Sequence, residues 1–213
     1  MTLCQIRRNT RLAVGELMNF GVLALQGDFR EHIAALAKFG VTAVEIRSVD
    51  QLAPIDALII PGGESTTMSL LAKSTGLDQA IAAKISAGMF VYGSCAGMIL
   101  LASKIIDGRS DQISFGAIDI SVRRNGFGRQ VDSFEGKITS KLGDSLTGVF
   151  IRAPKVESVG AGVTVLAELT RSDEVTPVMV KQGRAIATSF HPELANSSWV
   201  HKYFVDLVEG KVT

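Results

Sequence analysis

From Phe20 onward, short apolar runs alternate with longer amphipathic ones. Phe20-Gly21-Val22-Leu23-Ala24-Leu25 is a continuous apolar run of strand length, and Phe29 to Phe39 brings Ile33, Leu36, Ala37 and Phe39 near one helical face. Gly40 stops that helix, as a C-terminal glycine does. Val41 to Ile46 predicts a second strand, and Ala57-Leu58-Ile59-Ile60 a third that runs into Pro61-Gly62-Gly63. Helices over Thr66 to Lys73 and Leu77 to Ala87 follow, then a fourth strand at Met89 to Tyr92. Strands alternating with helices indicate βαβ units and therefore a parallel sheet covered by helices on both faces.

After about Ser110 the pattern changes. Ile118 to Val122, Ser133 to Thr139, Val149 to Ile151, Val163 to Leu169, Val175 to Val180 and Ala185 to Ser189 are short strand candidates. Turn signals such as Asn125-Gly126, Gly143-Asp144 and Gln182-Gly183 separate them. A last helix, Ser198 to Val208, carries Val200, Phe204 and Val208 at the spacing of one apolar face. With no Pro- or Ser-rich linker and no repeat, the expected architecture is one α/β domain over 20–213: a three-layer, mostly parallel sheet flanked by helices, with an antiparallel extension.

Composition narrows this only where it is uneven. The 213 residues carry 22 Lys plus Arg against 21 Asp plus Glu, a net charge of +1. Met1 to Met18 holds Arg7, Arg8 and Arg11 against Glu16 alone, so this stretch is +2 and the remainder −1. No basic surface for nucleic acid or anionic lipid is implied, and no apolar run reaches the ~18 residues of a membrane span. Residues 1–19 read as a leader, disordered or not translated if the start is Met18. The two cysteines divide in the same place, Cys4 in the leader and Cys95 alone in the body. The body cannot form an internal disulfide, and a reducing, cytoplasmic setting is expected.

The chemistry sits in three stretches. In Val91-Tyr92-Gly93-Ser94-Cys95-Ala96-Gly97-Met98-Ile99 a strand enters Gly-x-Cys-x-Gly and a helix begins, the thiol counterpart of a nucleophile elbow. At a helix N-terminus, free amides and the dipole favour a thiolate and a developing oxyanion. The bland alternative is a buried structural cysteine. Ser189-Phe190-His191-Pro192-Glu193 offers an imidazole as base and acid, and a carboxylate two residues on to fix its tautomer. The alternative is a loop histidine beside a solvated glutamate. Ile60-Pro61-Gly62-Gly63-Glu64-Ser65-Thr66 ends a strand in a Gly-Gly turn whose amides face an anion or carbonyl oxygen, or simply a tight turn with an N-capping Ser or Thr. It lacks the Gly-Lys-Ser/Thr ending of a phosphate loop. His32 and His201 fall on predicted helices with no comparable setting, and read as surface or packing residues.

These motifs, in this order, resemble the triad glutaminases, the class I glutamine amidotransferases. Leu25-Gln26-Gly27 with Arg30-Glu31-His32, Pro61 to Thr66, Asn125-Gly126-Phe127-Gly128-Arg129-Gln130-Val131-Asp132-Ser133-Phe134 and Ile151-Arg152-Ala153-Pro154 narrow the match. They resemble the glutaminase-subunit family of pyridoxal 5′-phosphate synthases from Phe20 to about Gly210, with Ser94 where Thr is commoner. The resemblance implies a flavodoxin-like fold, and Cys95, His191 and Glu193 as catalytic triad. It further implies Gly63 and Ala96 as oxyanion hole, and Gly63, Glu64, Ser65, Arg124, Ile151 and Arg152 around L-glutamine. For Arg124 and Arg152 the bland alternative is a solvated strand charge. No cofactor and no metal is expected.

The resemblance also implies a partner synthase subunit, a (β/α)8 barrel in a large hetero-oligomer. That partner takes the ammonia and builds pyridoxal 5′-phosphate from ribose 5-phosphate and glyceraldehyde 3-phosphate. The glutaminase is expected to be nearly idle alone, with docking rotating the Gly62-Gly63 peptide to complete the oxyanion hole. Two other readings compete. One is the glutaminase subunit of imidazole glycerol phosphate synthase; the other is a non-catalytic, thiol-sensing α/β protein, against which His191-Pro192-Glu193 argues.

Overall fold

The computed structural model describes residues 18–127, 133–143, 146–171, 173–195 and 199–213. Residues 1–17 of the expected leader, Gly128 to Asp132 of the most specific run, Asp144 and Ser198 lie outside the described residues. Met18 packs against the core, and Asn19 donates from its amide to Asp56 Oδ2 at 2.9 Å.

In chain order the first half comprises β1 (Phe20–Leu23), α1 (Phe29–Ala37), β2 (Ala43–Ile46), α2 (Val49–Leu52), β3 (Ala57–Ile60), α3 (Ser65–Thr75), α4 (Leu77–Ser86), β4 (Phe90–Ser94) and α5 (Ala96–Leu101). The second half is β5 (Ala102–Ile105), β6 (Ile118–Arg123), β7 (Phe134–Ser140), β8 (Leu146–Phe150), β9 (Lys155–Val159), β10 (Thr164–Arg171), β11 (Glu174–Gln182), β12 (Ala185–Thr188) and α6 (Trp199–Val208).

The main sheet has the order β2-β1-β3-β4-β12-β11-β10-β7-β8. Its first five strands run parallel, and β11, β10, β7 and β8 continue it antiparallel. All residues of β1, β3, β4 and β12 are buried, which is why they read as unbroken apolar runs rather than alternating ones. Alternation reappears in the packing. Leu58, Ile60 and Val91 face a core shared with Met68 and Ala72 of α3, Leu77 and Ile81 of α4, and Met98 to Leu101 of α5. Ala57, Ile59 and Tyr92 face the other core, with Leu36 of α1 and Val200, Phe204 and Val208 of α6. Each buried Val, Leu, Ile, Phe or Met among these contributes about 1.5–3 kcal/mol of transfer free energy, so the helices are held by their apolar stripes.

A second sheet, β5-β6-β9, was not anticipated. Its edge strands give no alternating signal: β5 is Ala-Ser-Lys-Ile with only Ala102 fully buried, and β9 buries only Val156. Helix α2 is likewise too short for periodicity and rests on a capping box between Ser48 and Gln51. One boundary shift matters for the site. The strand expected at Val149 to Ile151 is β8, which ends at Phe150. Ile151 and Arg152 thus leave the sheet, Arg152 with φ of 46°.

Candidate active site

Because β3, β4 and β12 are parallel neighbours, their C-terminal ends open on one edge, where ligands bind in open α/β sheets. Pairing of Thr188 with Ser94 brings the segment after β12 beside the segment after β4. Cys95 follows Ser94 directly, and His191 follows Thr188 by three residues.

Cys95 sits between β4 and α5 with φ of 48° and ψ of −99°. For a residue with a Cβ this is a strained conformation, costing about 1–3 kcal/mol, and it is held because its amide donates to Thr188 O at 2.8 Å. The flanking glycines serve close approach rather than unusual dihedrals. A Cβ on Gly93 would lie 2.5 Å from the Gly97 carbonyl carbon, and one on Gly97 would lie 2.2 Å from Ile60 O. Cys95 is a free thiol, 5% exposed, with Sγ 3.8 Å from Ile151 O.

His191 is tied to β8 through its amide, which donates to Val149 O at 2.8 Å. Its Nδ1 is 2.7 Å from Glu193 Oε1, and its ring lines the same cavity as the Cys95 thiol. Burial opposes protonation of His191, but the sulfur and the Glu193 carboxylate outweigh it and raise the imidazole to about 10. Burial also opposes ionisation of Glu193. The histidines around it, His32 and His191, win and hold it well below the usual carboxylate range. Ser94 Oγ adds a hydroxyl 3.2 Å from Glu193 Oε2.

The Gly62-Gly63 turn closes the other wall. The ring of His191 packs on Gly62, where a Cβ would be 2.4 Å from Cε1. Gly63 has φ of 147° and lies against the Gln26 side chain, whose Oε1 accepts from the Glu64 amide at 2.8 Å. The Gly62 carbonyl accepts from the Asp28 amide at 3.4 Å. This trans peptide therefore directs the Gly63 N–H away from Asp28. The cap of α3 is not the expected Ser or Thr. Glu64 accepts from the amides of Thr66 at 3.0 Å and Thr67 at 2.6 Å. Desolvation raises the Glu64 pKa, but these bonds outweigh it and hold the carboxyl below its usual range.

A cavity of about 170 Å³ is lined by Cys95, His191, Gly63, Glu64, Ser65, Arg124, Ile151 and Arg152, together with Asp28, Ile99 and Asn125. All six residues expected around glutamine are therefore brought together with the thiol and the imidazole. Glu193 stands behind His191 with its side chain fully buried, and Ala96 opens α5 next to Cys95. Arg124 is not a solvated strand charge. Its Nη1 donates to Thr66 Oγ1 at 3.1 Å and Gln112 Oε1 at 3.0 Å, and Nη2 is 3.7 Å from Glu64 Oε1.

Asp28, Gln26 and Gln112 were missed as site residues. Gln26 is the Gln of the quoted Leu25-Gln26-Gly27 motif and Asp28 follows it, which was the available signal; Gln112 had none. His32 and His201 are not at the surface: both are 0% exposed, behind Glu193. The donor atoms of Asp28, His191 and Glu193 lie within 4.8 Å of one another, near enough to share one ion. Nδ1 of His191 and Oε1 of Glu193 are already bonded to each other, so such an ion would have to break the 2.7 Å contact.

Known proteins resemble this chain in sequence and fold. A pyridoxal 5′-phosphate synthase subunit PdxT of Mycobacteroides abscessus is 54% identical over 191 residues, spanning 89% of this chain and 97% of the relative. The subunit of the same name from Streptomyces avermitilis is 54% identical over 195 residues, 91% of this chain and 95% of the relative. A solved glutamine amidotransferase matches with TM-score 0.81 and 45% identity, over 89% of this chain and 98% of that one. A chain of PurLQS from Thermotoga maritima matches with TM-score 0.66 and 15% identity over 92% and 99% of the two chains, a likeness of fold alone. The SNO glutamine amidotransferase family matches residues 22–210, nearly the whole described body, and to that family the chain belongs.

Proposed function

We propose that the protein hydrolyses L-glutamine to L-glutamate and ammonia, as the glutaminase subunit of a pyridoxal 5′-phosphate synthase. The observation that carries the reading is one cavity holding a strained thiol, an imidazole backed by a buried carboxylate, and a guanidinium beside a second carboxylate. A zwitterionic amino acid with a side-chain amide complements that set. The guanidinium of Arg124 pairs with the substrate α-carboxylate, Glu64 attracts the α-ammonium, and the carboxamide reaches Cys95.

The reaction then follows from the residues. Cys95 Sγ, its proton held by His191, attacks the amide carbon, and the amides of Gly63 and Ala96 receive the oxyanion. One such donor is worth about 10²–10³ in rate. His191 returns the proton to the departing nitrogen, the C–N bond breaks, and ammonia leaves a γ-glutamyl thioester on Cys95. Water, deprotonated by His191, cleaves the thioester to glutamate and regenerates the thiol. Glu193 keeps His191 in one tautomer and stabilises its cation.

The ammonia passes to a synthase subunit, a (β/α)8 barrel in a hetero-oligomer, and docking rotates the Gly62-Gly63 peptide. The names of the relatives favour this partner over that of imidazole glycerol phosphate synthase, and the His191–Glu193 contact of 2.7 Å disfavours a non-catalytic thiol sensor. Ammonia release from glutamine, measured with and without the synthase subunit, tests the docking claim. A rise on mixing is expected, and equal rates would defeat it.

A further inference from the structure

Behind the triad lies a polar chain that the reaction as described does not use. Glu193 Oε1 faces His191, and its other oxygen, Oε2, is 3.5 Å from His32 Nε2. His32 Nδ1 is in turn 2.9 Å from His201 Nε2. Both histidines and the glutamate side chain are fully buried. The two imidazoles come from α1 and α6, which cover the same face of the sheet, and both stand edge-on to Tyr92 with ring centroids 5.8 and 5.9 Å away. Tyr92 is itself anchored to Thr188 Oγ1 at 3.0 Å.

A buried carboxylate is stable only when its lone pairs find donors. Ser94 has one hydroxyl proton to offer, and Phe190 O at 3.4 Å competes for it. His32 Nε2 is the nitrogen donor beside Oε2; at 3.5 Å the contact is long, and neither that atom nor His201 Nδ1 has a closer partner among the described residues. An ionised carboxylate carries no proton, so the proton of this contact belongs to His32 Nε2. With the hydrogen at Nε2, His32 Nδ1 meets His201 Nε2 at 2.9 Å. The opposite tautomer would set two lone pairs, His32 Nε2 and Glu193 Oε2, against each other.

We propose that His32 is a positioning residue of the triad: its Nε2–H holds Glu193 Oε2 so that Oε1 stays on His191, and His201 fixes the His32 tautomer. The inference rests on the glutaminase reading. The chain runs His201, His32, Glu193, His191, Cys95, and its first two members never touch substrate.

The test compares His32→Leu with His32→Gln, in complex with the synthase subunit. A glutamine amide nitrogen can take the place of Nε2, whereas leucine has no donor. His32→Leu should lower kcat about tenfold, the scale of a lost hydrogen bond to a charge, with KM for glutamine unchanged. His32→Gln should recover most of that loss. Should His32→Leu fail to fold, His32→Asn, whose shorter amide does not reach Glu193, takes its place against His32→Gln. Wild-type kcat in the donor-less variant, or a His32→Gln enzyme as slow as it, would overturn the inference while leaving the glutaminase reading intact. Wild type without thiol-dependent ammonia release would instead remove the reading itself.

Discussion

Replacing Gly62 with alanine isolates the position of the His191 imidazole. The φ of Gly62 lies outside the left-handed region, so alanine brings no backbone strain there. Its Cβ would stand 2.4 Å from His191 Cε1 and 2.9 Å from Nδ1, where ordinary contact begins at 3.4 Å. The ring must retreat by about 1 Å, and it cannot do so freely. Nδ1 is held 2.7 Å from Glu193 Oε1, and that carboxylate is buried. A misplacement of ~1 Å costs on the order of 10²-fold in rate, whereas overpacking by one methyl costs about 1–3 kcal/mol of stability. Gly62→Ala should therefore fold, melt somewhat lower, and lose about 10²-fold in kcat for glutamine in the presence of the synthase subunit. Because the same substitution touches the Gly62-Gly63 peptide, alkylation of Cys95 by iodoacetamide without the partner separates the two effects. Mapping the Cys95 peptide excludes signal from Cys4. Slower alkylation than wild type shows that the imidazole has moved from the sulfur; unchanged alkylation and unchanged kcat would refute the assigned place of His191.

Three further outcomes follow from the same geometry. Glu193→Ala should fold yet lose most turnover, and the His191 imidazolium, no longer facing a carboxylate, should titrate below its present value of about 10; unaltered kinetics would return Glu193 to a structural role. Arg124→Ala should raise KM for glutamine more than it lowers kcat, since the guanidinium meets a part of the substrate that does not react; an equal fall in kcat at constant KM would contradict that placement. Burial and His32 depress His201 to about 3, so the folded state holds it neutral. The stability this gives is complete above the unfolded value near 6.5 and is lost as pH falls towards 3, by up to about 1.4 kcal/mol per unit. Urea midpoints of His201→Gln should accordingly fall less than those of wild type between pH 6.5 and 5, and parallel curves would argue against a buried neutral His201.

The parallel half of the sheet was legible because buried strands leave unbroken apolar runs, as Ala57 to Ile60 does, and because glycines punctuate them. The elbow was legible for a related reason: Gly93 and Gly97 are required by backbones packed too closely for a Cβ, and close packing around one cysteine leaves a compact signature. The second sheet was not, since β5 and β9 each bury a single residue fully and so carry no alternation. His32 and His201 illustrate the harder case. They are 169 residues apart, and only the pairing of α1 with α6 over Tyr92 makes them neighbours. Nothing local distinguishes a histidine on a surface helix from one that meets a buried carboxylate. Arg124 is similar: its partners Glu64 and Thr66 at the start of α3 and Gln112 before β6 come from two distant segments.

The central claim is that Cys95 is the nucleophile of a glutaminase. It is tested most directly by ammonia release from L-glutamine in wild type and Cys95→Ala, each mixed with the synthase subunit. The account predicts release that depends on the thiol, with the γ-glutamyl group found on the Cys95 peptide of wild type quenched during turnover. Ammonia release surviving in Cys95→Ala would contradict it.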